Sequence, residues 1–348
     1  MEIPAVQYVT TSDGIQLAYA VAGDGEPIVQ LPFHYNHVLL RWTVPLWFRG
    51  LAKHFHVAHY DGRGQGLSSR NLTRQQTTAD LRRDLEAIID ATGFDRFALM
   101  AYGGFGHVAL RYAVENPERV TALVLICTSE TFEAWSPAAH LGIAEENWDL
   151  FIELQAKNTP PQFKEVWKNF IRDSTTQADY AKLVRAFIAD PSVSHLLPRV
   201  NVPTLFLHSL DQHWLPPAEG ARMASKIVGA RILFTDGDVE PDQLQAVPAI
   251  ISFLEGIGPE SSIGPQPRRE AIREGNLSRR QLEVLQLIAE GKRTREIAQA
   301  LVLSERTVER HIAGIYAKIG ARNRSEATAF VLGRPSVLDG AKHPITAA

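Results

Sequence analysis

Apolar residues fall along this chain in two patterns, short continuous runs and helical spacing, and the change from one to the other divides it into parts. Short runs at 27–31, 56–60, 96–100, 122–127, 204–208 and 231–234 read as strands, and residues 8–22 read as a hairpin turning at Ser12, Asp13 and Gly14. Between several of these runs, at 78–92, 106–115 and 219–227, the spacing lengthens to the three or four residues of a helix with one buried stripe. Strands alternating with helices build a mostly parallel sheet covered on both faces, so the expected class is α/β over residues 1–256. Within that span, helical spacing without strands at 146–157, 162–172 and 177–189 predicts a helical cap inserted at about 133–199. Trp135, Trp148, Trp167 and Phe170 are among its apolar positions, most of them expected to pack the cap onto the sheet and the rest to line a chamber.

Beyond residue 276 only the helical period remains. Leu282, Leu285, Ile288, Ile297, Leu301, Val308, Ile312, Ile315 and Ile319 carry it, and they predict a small all-α domain at 277–332. Its first helix opens at Ser278, with Gln281 at the spacing of a capping box, and stops at Gly291. A second runs from Thr294 to about Leu301, and a third follows Ser304 as its N-cap over 305–319. Only Val302, Leu303 and Ser304 separate them, which is the tight joint of a helix-turn-helix at about 294–313. The second helix of such a pair is a rod narrow enough for the DNA major groove. Residues 257–276, rich in Gly, Pro and Ser, read as a stiffened linker, and 333–348 as a mobile tail.

Charge sharpens this division. Residues 268–334 hold fourteen Lys or Arg against eight Asp or Glu, a net of +6, which leaves 22 basic and 31 acidic residues elsewhere, a net of −9. A basic small domain beside an acidic large one suits phosphate binding, since neutralising the DNA backbone releases counterions. The single cysteine, Cys127, excludes a disulfide framework or a cysteine-rich metal site. Residues 1–8 do not read as a signal peptide, and no apolar run approaches the roughly 20 residues needed to cross a bilayer, so no membrane partner and a cytoplasmic location are expected.

The segments LSRRQLEVLQLIAEGK, EIA, LSERTVERHI and YAKIGARNRSEA resemble the LuxR-type, or GerE-like, DNA-binding domain over roughly 55 residues. That resemblance implies a fourth helix that pairs two copies, hence a homodimer on an inverted repeat in double-stranded DNA. It implies that Glu309, Arg310 and Ala313 face the groove, with Ser304, Thr307, His311 and Lys318 nearer the phosphates. One departure matters: many members have Lys where this chain has Glu309. A carboxylate there can accept from a cytosine amino group but repels phosphate, or it can simply pair with a neighbouring arginine. His311 likewise reads as a phosphate ligand or as a buried or capping histidine.

The larger domain has its own signature. Asp61-Gly62-Arg63-Gly64-Gln65-Gly66-Leu67-Ser68 follows a strand, Ala101-Tyr102-Gly103-Gly104-Phe105-Gly106 joins a strand to a helix, and PTLFLHSLDQHWLPP comes later. Together they resemble the α/β-hydrolase fold, in its proline-iminopeptidase and haloperoxidase-like branch, over about residues 8–256. Such a hydrolase places a nucleophile at a Gly-x-Ser-x-Gly elbow and an acid and a base on later turns. Here those positions read Gly103, Gln212 and Glu240, with Asp211 one residue from the acid's place. Pro32 stands in the oxyanion turn, where it removes a possible donor.

The expectation is therefore an inactive hydrolase-like sensor that retains a pocket. Phe33, His34, Tyr102, Gly103, Phe105, Asp211, Gln212, Trp214 and Glu240 are its candidate lining, for a small, largely apolar ligand with one or two polar ends. No cofactor and no metal is predicted, since the Gly-rich turn lacks the acidic partner of a dinucleotide fingerprint. The expected function is a ligand-responsive, DNA-binding transcriptional regulator. The alternative is a hydrolase-fold enzyme with a non-standard site, drawing on His34, His208, Ser209 or His213, that carries a DNA-binding tail.

Overall fold

The computed structural model describes residues 3–43, 47–132, 137–157, 159, 163–209, 215–235, 243–257, 279–289, 291–301, 303–319, 323–324 and 327–328. The chain folds as two compact units that part near Gly258.

The first unit is built on one eight-stranded sheet. Its strands are β1 (Gln7–Thr10), β2 (Gln16–Ala22), β3 (Pro27–Gln30), β4 (His56–Tyr60), β5 (Phe97–Tyr102), β6 (Val120–Ile126), β7 (Thr204–Ser209) and β8 (Arg231–Thr235). They lie in the order β1, β2, β4, β3, β5, β6, β7, β8. β1 and β2 form the expected hairpin, closed by Thr11 N donating to Ile15 O at 2.8 Å, and β2 runs antiparallel to β4. From β4 through β3, β5 and β6 to β7 every pairing is parallel. Central parallel strands are buried on both faces, which is why all six residues of β5, FALMAY, are buried. The strand expected at 96–100 runs two residues further, because Ala101 and Tyr102 still pair with Leu125 and Ile126. Tyr102 is therefore the last rung of the ladder.

Helices cover the sheet: α1 (Leu40–Thr43), α2 (Trp47–Leu51), α3 (Thr78–Thr92), α4 (Phe105–Glu115), α5 (Pro137–Glu146), α6 (Trp148–Gln155), α7 (Lys164–Ser174), α8 (Gln177–Ile188), α9 (Pro217–Ser225) and α10 (Gln243–Glu255). α3 shows why these segments are helical. Thr77 and Asp80 form a reciprocal capping box, Gly93 closes the end at φ 67°, and Leu81, Leu85, Ile88 and Ile89 form the buried stripe. Burying each stabilises by roughly 1.5–3 kcal/mol. The cap holds four helices, α5 to α8, where three were expected, and Asn147 and Thr176 cap α6 and α8 through their side chains. α10 went unforeseen because Pro248 interrupts its pattern from within.

The second unit contains α11 (Arg279–Ala289), α12 (Thr294–Leu301) and α13 (Glu305–Ile319). Val284, Leu285, Ile288, Ile297, Ala298, Val308, Ile315 and Ala327 form its core, with Leu301 and Ile312 partly buried against it. Gly291 ends the first turn of chain after α11 at φ 80°. The expected cap at Ser278, the linker beyond Ile257, most of the fourth helix and the tail lie outside the described residues. Among the described residues no helix is long and apolar enough to cross a membrane.

Candidate functional site

The strand-to-helix turn between β5 and α4 has the geometry of a nucleophile elbow. Gly103 sits at φ 57° and donates its N–H to Ile126 O at 2.9 Å, while Gly106 N and His107 N turn back to Gly103 O and Gly104 O at 3.0 and 3.1 Å. That backbone is left-handed, which glycine adopts without strain. It also leaves position 103 itself with no side chain to attack a carbonyl, while the nearby Thr128 hydroxyl donates to Gly103 O at 3.3 Å. Gly104 matters for space: a Cβ there would lie 2.6 Å from the ring of Phe187, so its absence lets α8 press onto the elbow.

Several expected lining residues do come together. Phe33 stacks on Tyr102 with centroids 4.9 Å apart, and His34 meets Tyr102 edge-on at 6.0 Å. Phe105, the first residue of α4, is linked to them through Phe187, at 5.1 Å from it and 5.6 Å from His34. Phe132 adds a third ring beside His34 at 6.2 Å. Burial, helped by nearby His140, lowers the His34 pKa to about 4, so at neutral pH its ring is uncharged and a weak base. His208 is buried against α9, where a Cβ on Gly220 would fall 2.4 Å from its ring. Asp211, Gln212, His213, Trp214 and Glu240 lie outside the described residues, and so does the side chain of Ser209.

The Gly-rich turn after β4 supports this cluster from below. Gln65 donates from Nε2 to Phe33 O at 2.7 Å and accepts from Gly62 N at 3.1 Å. Asp61 accepts from Asn36 Nδ2 and Leu67 N, both at 2.9 Å, and its burial pushes the carboxyl pKa up to about 7. Arg63 is buried between carboxylates, with Nη2 2.6 Å from Asp84 and Nη1 2.8 Å from Asp13, and it holds Asp13 well below the usual range. The cap is tied to the same turn: Gly66 N donates to Ser174 O at 2.7 Å and Thr175 Oγ1 to Gly64 O at 3.0 Å. A second tie joins α4 to the end of α8, His107 Nδ1 lying 2.8 Å from Asp190 Oδ2. Burial raises the Asp190 pKa, but hydrogen bonds from His107, Thr78 and Arg111 outweigh it and leave the net shift downward.

Sequence reasoning missed Phe187, Phe132 and Arg41. Phe187 was findable, since Tyr180, Val184 and Phe187 repeat at helical spacing along α8. Arg41 carried no such signal: it is 0% exposed, its guanidinium 3.9 Å from the Phe33 centroid and 5.2 Å from that of Phe170. The cap tryptophans divide. Trp148 stacks on Phe151 at 5.1 Å within the cap, whereas Trp167, stacked on Phe170 at 5.2 Å, reaches Tyr35 at 5.8 Å.

In the second unit, Ser304 caps α13 by accepting from Thr307 N at 3.1 Å, and the two hydroxyls lie 2.8 Å apart. Both are thus engaged in the cap itself. Val308 and Ile315 are core, His311 and Ile312 are half-buried, and Arg306, Glu309, Arg310 and Ala313 form the exposed stripe. Among the described residues Glu309 makes no ion pair. Arg306 belongs to this face and was not foreseen, although it lies three and four residues before Glu309 and Arg310. Lys318 lies in the last turn of α13.

Comparison with known proteins assigns both units. The family of bacterial regulatory proteins of the luxR type matches residues 275–331, and the alpha/beta hydrolase fold matches residues 35–150. The RutD protein of Variovorax paradoxus (strain S110) is 27% identical over 199 residues, 51% of this chain and 71% of that protein. The enol-lactonase from Burkholderia xenovorans LB400 superposes with a TM-score of 0.62 over 72% of this chain and 100% of its own, and at 21% identity that likeness shows the fold alone. The spore germination protein GerE of Bacillus subtilis (strain 168) is 41% identical over 56 residues, 16% of this chain and 76% of GerE. From the reader helices and that match together, the chain belongs to the luxR family of bacterial regulatory proteins, and its larger unit has the α/β-hydrolase fold.

Proposed function

We propose that this chain is a ligand-responsive transcriptional regulator whose hydrolase-fold unit holds a small molecule without turning it over. The observation that carries the reading is Gly103: the elbow keeps its left-handed backbone while the position of the usual nucleophile has no side chain. Gln212 and Glu240 at the aligned acid and base positions, and an uncharged His34 among aromatic rings, support the same conclusion. The ligand is small and largely apolar, with one or two polar ends, and it acts by binding one arrangement of two paired readers more tightly than the other. The reader works as a homodimer on an inverted repeat, in the cytoplasm, where the DNA is. Ser304, Thr307, Glu309, Arg310, His311, Ala313 and Lys318 form its DNA face, to which we add Arg306.

The test has two arms. Promoter fragments bound by the full chain are mapped with and without a library of apolar metabolites, and the same protein is assayed on an ester, lactone and epoxide panel, alongside Gly103→Ser. Occupancy that changes with a metabolite, and no turnover by either protein, is the expected result. Turnover by the parent chain that disappears in His34→Ala would overturn the inactive-sensor reading in favour of an enzyme carrying a DNA-binding domain.

A further inference from the structure

The exposed stripe of α13 has an unusual charge order for a face that meets a polyanion. At 100° and 1.5 Å per residue, Arg306, Glu309, Arg310 and Ala313 fall within an arc of about 100° and about 10 Å of helix axis, the length of roughly three base-pair steps. Val308 and Ile315 are buried on the opposite side, which sets the stripe outward. Glu309 lies at one border of that arc and Arg310 at the other. Facing phosphate, the Glu309 carboxylate would only subtract from affinity, so a favourable contact at this position requires a hydrogen-bond donor on the DNA.

In the major groove the base edges offer two such donors, the amino groups of adenine and cytosine. Adenine N6 stands between two acceptors, its own N7 and thymine O4, both of which repel a carboxylate. Cytosine N4 has an acceptor on one side only, guanine O6, and a C–H edge on the other. Guanine is the base whose O6 and N7 a guanidinium contacts in bidentate fashion. A carboxylate and a guanidinium on adjacent residues therefore match a cytosine beside a guanine better than any other pair of bases.

Resting on the reading of α13 as the groove-entering helix, we infer that Glu309 makes a cytosine obligatory in each half-site, next to a guanine contacted by Arg310. Glu309 is thus a specificity-determining residue that rejects thymine, whose O4 acceptor would face its carboxylate.

The full chain and its Glu309→Ala variant are used to enrich binding sites from a randomised duplex library, and the best site is then titrated with its cytosine pair changed to T·A. The parent should enrich a half-site with one near-invariant cytosine and lose roughly tenfold or more in affinity on the change. In the variant that position should become degenerate, the rest of the site persisting, and the change to T·A should cost less than about twofold. An identical motif from both proteins overturns the assignment of Glu309 and leaves DNA reading by α13 standing. A parent chain that enriches no motif overturns the regulator reading itself and this inference with it.

Discussion

Gly104→Ala is the most direct test of how the cap meets the elbow. The added methyl would lie 2.6 Å from ring atoms of Phe187, far inside contact distance, so either the ring or the elbow has to move. Phe187 is 1% exposed and boxed by Phe105 at 5.1 Å, Phe132 at 5.2 Å and His34 at 5.6 Å, which leaves it little room. Complete expulsion of the ring forfeits up to about 3 kcal/mol of burial, and overpacking of cores typically costs 1–3 kcal/mol. The expected loss is about 2 kcal/mol, or about 4–8 °C in Tm for a unit of this size. All six tryptophans precede residue 258, so tryptophan fluorescence, excited where Tyr316 does not absorb, follows the unfolding of this unit alone. Phe187→Ala by itself should cost about 3–5 kcal/mol. Because its cavity accommodates the new methyl, the double variant should be no less stable than Phe187→Ala, a coupling of about 2 kcal/mol. Additive losses, or a Gly104→Ala protein within about 0.5 kcal/mol of the parent, would refute the contact.

Asp61 binds its proton more tightly in the folded chain, with a pKa of about 7, than at its ordinary value of 3.8, so its contribution to stability is full below pH 4 and lost as pH rises through 7. Tm should fall from pH 5 to pH 8, and Asp61→Asn, which cannot ionise, should flatten that profile; equal slopes for both proteins would contradict it. Arg63→Met strands Asp84, whose side chain is 2% exposed, and should cost about 3–5 kcal/mol by urea unfolding, a loss below about 1 kcal/mol arguing against the buried ion cluster. In the reader, Lys318→Ala should lower the slope of log affinity against log salt by about 1, and an unchanged slope would remove Lys318 from the phosphate contacts.

Much of the fold was readable because its signals are local. Continuous apolar runs located the central strands, three-to-four-residue spacings located α3, α4 and the reader helices, and Gly103 marked both the turn and the lack of a side chain at its centre. Where spacing was interrupted, as by Pro248 in α10, or too short to register, as in α1 and α2, the elements went unseen. The ladder that carries β5 on to Tyr102 depends on its partner β6, and no local pattern shows a partner.

By itself, then, the order of residues determined the two-part architecture, the family of the reader, and the absence of a side chain at position 103 of the elbow. Tertiary structure alone decided that Phe187 rests on Gly104, that Arg41 is buried between Phe33 and Phe170, and that Glu309 stands exposed with no ion pair among the described residues. The physical reason is range. Backbone preference and periodicity act over a few residues and set which face of each element is apolar. Which side chain from a distant element meets that face, and how much water it loses in doing so, follows only from how the elements pack.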